Sequence, residues 1–171
     1  MKHLITILLF IPIIAFGQAT LESANKLYKK GAYKKAQKEY ADIITSNPNS
    51  YDAYIGLANC YYGLKDFDAA IKNCTKAIGL EIDNPRAYAL RAPIYYLSKD
   101  YSKALLDYNK LIELNSKDDL ACAYFMRGTC KLMLHEENKE DACSDFRKAK
   151  ELGWNTKVPG LNKYCDTTDL E

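Results

Sequence analysis

Apolar residues recur along this chain at helical spacing, and the same phase returns several times. Phe67, Ala70, Ile71, Cys74, Ala77 and Ile78 follow the i, i+3, i+4, i+7 pattern of one helix face. Tyr101, Ala104, Leu105, Tyr108, Leu111 and Ile112 do the same. Ahead of the first set, Tyr54, Leu57, Ala58 and Tyr61 share a face, and the polar stretch GLKD separates the two. This pattern predicts two antiparallel helices joined by a tight turn. The pair then repeats. Tyr33, Phe67 and Tyr101 stand 34 residues apart, as do Ala36, Ala70 and Ala104, then Tyr40, Cys74 and Tyr108, then Ala24, Ala58 and Ala92. A fixed period of this length marks a stacked-repeat architecture. Ala58 and Ala70 allow the two backbones of one hairpin to approach closely, while Tyr61 and Phe67 fill the space beside them.

A fourth unit is present but stretched. YFMRGTCKLML and DACSDFRKAKELG match YALRAPIYYLS and SKALLDYNKLIEL, with two extra residues in HEENK. Gly153 is placed to close the last helix of that unit and Trp154 to fold back on it. The segment from Lys157 to Cys165 reads as a short terminal helix over the last exposed face. The expected organisation is all-α: four helix hairpins over 18–50, 51–84, 85–118 and 119–153, then a capping segment over 154–171.

These columns, best formed in AYIGLANCYYGLKDFDAAIKNCTKAI, resemble the tetratricopeptide repeat (TPR) family, and the resemblance runs from Gln18 to about Gly153. It implies an α-solenoid, a right-handed superhelix of hairpins whose first helices line a concave groove. Each hairpin cannot bury its own apolar face, so copies stack to do it. The ending DACSDFRKAKELG followed by KYC also resembles the close of many exported bacterial members. Chaperone-binding members hold a C-terminal carboxylate with a lysine, two asparagines and further basic residues. Asn25 and Asn59 match the asparagines, but Leu21 stands at the first lysine, and Ala89 and Pro93 at the later basic columns. The clamp is incomplete, and its ligand is not carried over.

The first residues read differently. MKHLITILLFIPIIAFGQA has a basic start, an apolar run from Leu4 to Phe16 interrupted by Pro12, and then small residues. The run is short for a membrane span and suits the apolar region of a secretory signal. Ala15 and Gly17 frame a cut before Gln18, making 1–17 the signal peptide; a cut after Ala19, or an uncleaved anchor, is the alternative. No cysteine lies at the cut, which disfavours a lipoprotein. The expectation is an exported protein, periplasmic or secreted, with no stable membrane span after cleavage. An oxidising compartment then permits disulfides among Cys60, Cys74, Cys122, Cys130, Cys143 and Cys165. Cys143, near the start of the last hairpin's second helix, pairs best with Cys165; Cys130 with Cys143, across the hairpin turn, is the second pairing. Cys60 and Cys74 read as small buried residues.

Chemistry narrows the rest. A net charge of +2 points to no nucleic-acid partner. Past the signal, His135 is the only histidine and sits in a turn, and neither a phosphate loop, an HExxH nor a nucleophile elbow occurs. No enzyme and no cofactor or metal is expected. Arg91 and Arg127 fall where the second repeat has Leu57, and in the same two repeats Asp107 and Asp145 precede the aromatic; the second has Asn73 there, the first Ser23 and Glu39. This matched substitution predicts partly buried Arg91–Asp107 and Arg127–Asp145 pairs. On the flank of the first helices, three columns recur: Tyr28, Tyr62 and Tyr96, then Leu132; Asn25 and Asn59, then Pro93 and Thr129; and Leu21, Ile55, Ala89 and Phe125. Rings and amides suit an extended peptide, and packing between repeats is the other reading of the tyrosines. Pro93 within a helix interior removes a hydrogen bond and frees the Ala89 carbonyl. The function expected is a non-enzymatic scaffold binding a protein or peptide of unknown identity in the cell envelope. The alternative is a structural subunit, an oligomer whose groove a neighbouring chain fills.

Overall fold

A computed structural model describes residues 19–114, 120–134, 139–155 and Cys165. The expected signal segment and its expected cut before Gln18, His135, and the short helix expected before Cys165 lie outside the described residues. Among the described residues eight helices follow one another: α1 (Leu21–Lys29), α2 (Tyr33–Ser46), α3 (Tyr51–Gly63), α4 (Phe67–Leu80), α5 (Pro85–Leu97), α6 (Tyr101–Glu113), α7 (Leu120–Leu134) and α8 (Lys139–Glu151). Each contacts the next, and α1 touches α3 as α3 touches α5. The described residues form a helical solenoid without strands. None of these helices is long and apolar enough to cross a membrane.

The hairpin turns share one closing device. Gly31, Lys65 and Lys99, one period apart, all take left-handed backbone (φ 73°, 62° and 61°). In each, the following N–H reaches back five residues: Ala32 to Leu27, Asp66 to Tyr61, and Asp100 to Tyr95, at 3.0, 2.9 and 2.9 Å. This is the Schellman closure, which satisfies helix-end carbonyls. Asp66 and Asp100 then turn round as N-caps, accepting from Ala69 and Lys103 N–H. After α8 the device recurs, with Gly153 at φ 92° and the Trp154 N–H on the Ala149 carbonyl at 2.9 Å.

Small residues set the spacing inside each hairpin. Ala24 and Ala36, Ala58 and Ala70, and Ala92 and Ala104 are completely buried. In the fourth hairpin the first alanine is replaced by Gly128, where a Cβ would come within 2.9 Å of the Ala142 carbonyl oxygen. Larger side chains join one repeat to the next. Tyr40 of α2 lies against Gly56 of α3, where a Cβ would stand 2.3 Å from the ring. The Tyr51 hydroxyl of α3 accepts from the Ala87 N–H at 3.1 Å, capping α5 together with Asn84.

Candidate functional site

The first helix of each hairpin has one face that its neighbours leave uncovered. On α3, Tyr51, Ala53, Ile55, Gly56, Leu57, Ala58 and Cys60 are buried. What remains toward solvent on the far side is Asp52, Asn59, Tyr62 and Gly63, which helical geometry places on one strip. The same steps on α5 give exposed Arg86 and Leu97 with half-buried Pro93 and Tyr96, and on α7 exposed Met133 with half-buried Thr129 and Leu132. Asp52 and Arg86 neutralise each other across adjacent repeats at 2.6 Å. The rest of this face on α3, α5 and α7 is uncharged.

The three tyrosines of the column differ in environment. Each ring lies near the aromatic that opens the following helix: Tyr28 with Tyr33 at 5.5 Å, Tyr62 with Phe67 at 6.0 Å, and Tyr96 with Tyr101 at 5.4 Å. Tyr28 also packs on the core of the first two hairpins, and Tyr96 on that of the last two. Burial pushes both their phenols up, and neighbouring phenol and thiol groups push the same way. Tyr62 stays 39% exposed. Packing between repeats therefore holds Tyr28 and Tyr96, while Tyr62 offers its ring to solvent.

The other columns divide in the same way. Ile55, expected on the groove, is only 4% exposed and fills a core cluster with Tyr51, Ala77 and Ala87. Leu21 packs on the first core cluster. Phe125 is covered, its ring 4.9 Å from Trp154 in a stack tilted by only 18° and 5.4 Å from Phe146. These three apolar positions are turned toward the next layer, because each must bury what the following repeat, or its substitute Trp154, brings against it. Asn25 is exposed, but its Oδ1 already accepts from the Tyr40 hydroxyl at 2.5 Å, leaving the NH2 as its outward group. Asn59 is half-buried and makes no hydrogen bond among the described residues, so donor and acceptor both remain for a ligand. Pro93 occupies the corresponding place in α5, and its partner Tyr108 shows the effect: that hydroxyl is buried without a hydrogen-bond partner among the described residues.

Both predicted ion pairs are in place. Arg91 donates through Nε and Nη2 to Asp107 at 2.8 and 2.7 Å, and Arg127 does the same to Asp145 at 2.9 and 2.5 Å. Burial pushes the Asp107 carboxyl up, and the Arg91 hydrogen bonds oppose that push. Sequence reading missed the third partner. Arg91 Nη1 donates to Thr75 Oγ1 and Arg127 Nη1 to Asn109 Oδ1, so each arginine also ties its hairpin to the preceding one. The signal was available, since Thr75 and Asn109 are one period apart. Asp145 receives Lys131 as well, at 2.8 Å. In the first hairpin Ser23 Oγ donates to Glu39 at the equivalent place.

Cys143 and Cys165 form a disulfide, and Cys130 is a buried thiol, so the second pairing does not occur. Cys60 and Cys74 are buried thiols whose burial pushes them up to about 11 and about 12. No group of three or more His, Cys, Asp or Glu among the described residues is placed to hold a metal ion.

Two family models described as tetratricopeptide repeat match residues 27–94 and 85–118, together more than half of the chain. The chain is 25% identical over 158 residues to human DnaJ homolog subfamily C member 7, covering 90% of this chain and 29% of that protein. It is 30% identical over 109 residues to Hsp70-Hsp90 organizing protein 3 of Arabidopsis thaliana, covering 64% and 19%. The chain thus spans less than a third of the length of these curated relatives. Among solved structures, MamA superposes with a TM-score of 0.71 at 22% identity, over 77% of this chain and 75% of that one. The Yersinia enterocolitica type III secretion chaperone SycD, crystallised with a peptide of the translocator YopD, superposes with a TM-score of 0.65 at 19% identity, over 67% and 92%. Sequence period, hairpin closure and these likenesses agree, and the chain belongs to the tetratricopeptide repeat family.

Proposed function

We propose that this protein is a non-enzymatic scaffold that holds an extended protein or peptide segment along the open face of α3, α5 and α7. The observation that carries the reading is the pairing on α3 of an exposed ring, Tyr62, with an unpartnered carboxamide, Asn59. An amide of this kind pairs with a peptide backbone, and the ring packs on a side chain. A peptide-bound structure among the fold relatives, and organizing proteins among the sequence relatives, support the same use of the fold. We place the protein outside the cytosol of a bacterium, in the cell envelope. The apolar segment from Leu4 to Phe16 and the Cys143–Cys165 disulfide support that location. Intact mass of the exported protein tests it: the mature chain starts at Gln18, and a mass that retains Met1 overturns the assignment.

Affinity capture from envelope extract, run in parallel with Tyr62→Ala, tests the binding face. Truncating a ring that touches only ligand weakens binding by about 1–2 kcal/mol with little loss of stability. Tyr28→Ala and Tyr96→Ala instead lower the melting temperature, because those rings are packed between repeats. If Tyr62→Ala melts much earlier and still retains the captured partner, the face is packing and the reading fails.

A further inference from the structure

We infer that the segment bound by this protein carries acidic residues at one end and bulky apolar residues along the rest, its acidic end lying on the tip of the first hairpin. This rests on the binding-face reading above and specifies the ligand. The hairpin tips share one backbone closure, so their side chains can be compared directly. The first tip presents Lys29, Lys30, Lys34 and Lys35, all exposed and none in an ion pair among the described residues. Its counterpart in the second hairpin mixes Lys65 with Asp66 and Asp68, and in the third exposed Lys99 stands beside Asp100, which holds Lys103 at 2.6 Å. Among the three described tips, unbalanced positive charge is therefore concentrated on the first, with four lysines and no acidic partner.

At the ends of the first helices that run into these turns, exposed apolar side chains recur. Tyr62 stands one residue before the end of α3, Leu97 ends α5, and Met133 stands one residue before the end of α7. Leu97 and Met133 are 52% and 53% exposed, more than a side chain with a covering neighbour would be. Sequence reading passed over them because it followed the tyrosine column one residue earlier. A segment lying along the edge of these tips meets four unpaired cations first. Afterwards it meets Tyr62, Leu97 and Met133, beside tips whose Lys65, Lys99 and Lys103 are balanced by Asp66, Asp68 and Asp100. Complementary charge fixes its direction, and the apolar row contributes the buried area. An anionic lipid surface fits less well, since Asp66, Asp68 and Asp100 would face it on the intervening tips.

The test is selection from a random-sequence peptide display library against the protein and against a variant with Lys29, Lys30, Lys34 and Lys35 all changed to Glu. The expected result is enrichment of peptides with an acidic end and an apolar remainder. The charge-reversed variant then loses about tenfold or more in affinity for them at low ionic strength and selects basic ends instead. Leu97→Ser with Met133→Ser keeps the charge preference and loses the apolar one. Enriched peptides without a charge bias, still weakened by Tyr62→Ala, overturn this inference and leave the binding face standing. Failure to enrich any peptide removes both. Sedimentation of the protein with phosphatidylserine vesicles, abolished in the charge-reversed variant while peptides show no bias, makes the edge a lipid surface and also overturns the inference.

Discussion

Arg91 and Tyr108 sit in the same hairpin and illustrate two fates of a buried polar group. The Arg91 guanidinium reaches Asp107 twice and Thr75 once, so the cost of burying that carboxylate is met by directed hydrogen bonds. Arg91→Leu alone strands a buried carboxylate and is expected to destabilise by about 3–5 kcal/mol. Adding Asp107→Asn recreates the Leu57 and Asn73 arrangement of the second hairpin and recovers most of that loss, measured by guanidinium unfolding. If the double variant is no more stable than the single one, the pair is not an isolated module. Tyr108 is the opposite case. Its counterpart Tyr40 finds Asn25, whereas Tyr108 would need an acceptor where Pro93 stands. An unsatisfied buried hydroxyl costs about 1–3 kcal/mol, so Tyr108→Phe is expected to be neutral or stabilising, while Tyr40→Phe destabilises by about 1 kcal/mol. A clear drop in stability for Tyr108→Phe would contradict this account.

Among the elements, the last hairpin depends most on a tie outside itself. No fifth hairpin covers α7 and α8 in the described chain; Trp154 stacks on Phe125, and Cys165 is bonded to Cys143 of α8. The disulfide closes a separation of 22 residues. In the chain-entropy model such a loop contributes about 3 kcal/mol. Solenoid stability is built from neighbouring contacts, so the loss should stay local. Cys165→Ser is expected to reduce amide-exchange protection in α7 and α8 while α1 to α4 keep theirs. Uniform loss across all eight helices would show that the stack unfolds as one unit.

Across the whole molecule, buried weak acids recur in the joints between repeats. Cys60 is pushed up to about 11, and Cys74, Cys130, Tyr40 and Tyr51 to about 12, burial being the largest cause in each case. In the unfolded chain the thiols ionise near 9 and the phenols near 10. Above those values the unfolded state releases protons that the folded state retains, so stability falls as pH rises. The contribution is complete below pH 9 and is lost as pH passes through 11 to 12. Guanidinium midpoints measured under argon should decline across this range. A midpoint flat from pH 9 to 11 would mean that the joints open to water at little cost.

The period of apolar positions was enough to determine the hairpins, their number and their order, because helical spacing and small–small columns are local in sequence. The matched Arg and Asp columns likewise identified their pairs, since partners within one hairpin are tied to the period. Which groove residues face outward was not written in the columns. Ile55, Tyr28 and Tyr62 all lie on the flank of a first helix, yet Ile55 is core, Tyr28 is packed between repeats, and Tyr62 is exposed. The distinction depends on how the next hairpin is placed against the helix, a contact more than 30 residues away in sequence for Tyr51 and Ala87. Only the stacked structure shows that Trp154 covers Phe125, that Pro93 leaves Tyr108 without an acceptor among the described residues, and that Leu97 and Met133 stay exposed near the ends of α5 and α7. A repeating sequence specifies the unit, but exposure belongs to the neighbours, and the neighbours meet only when the solenoid closes.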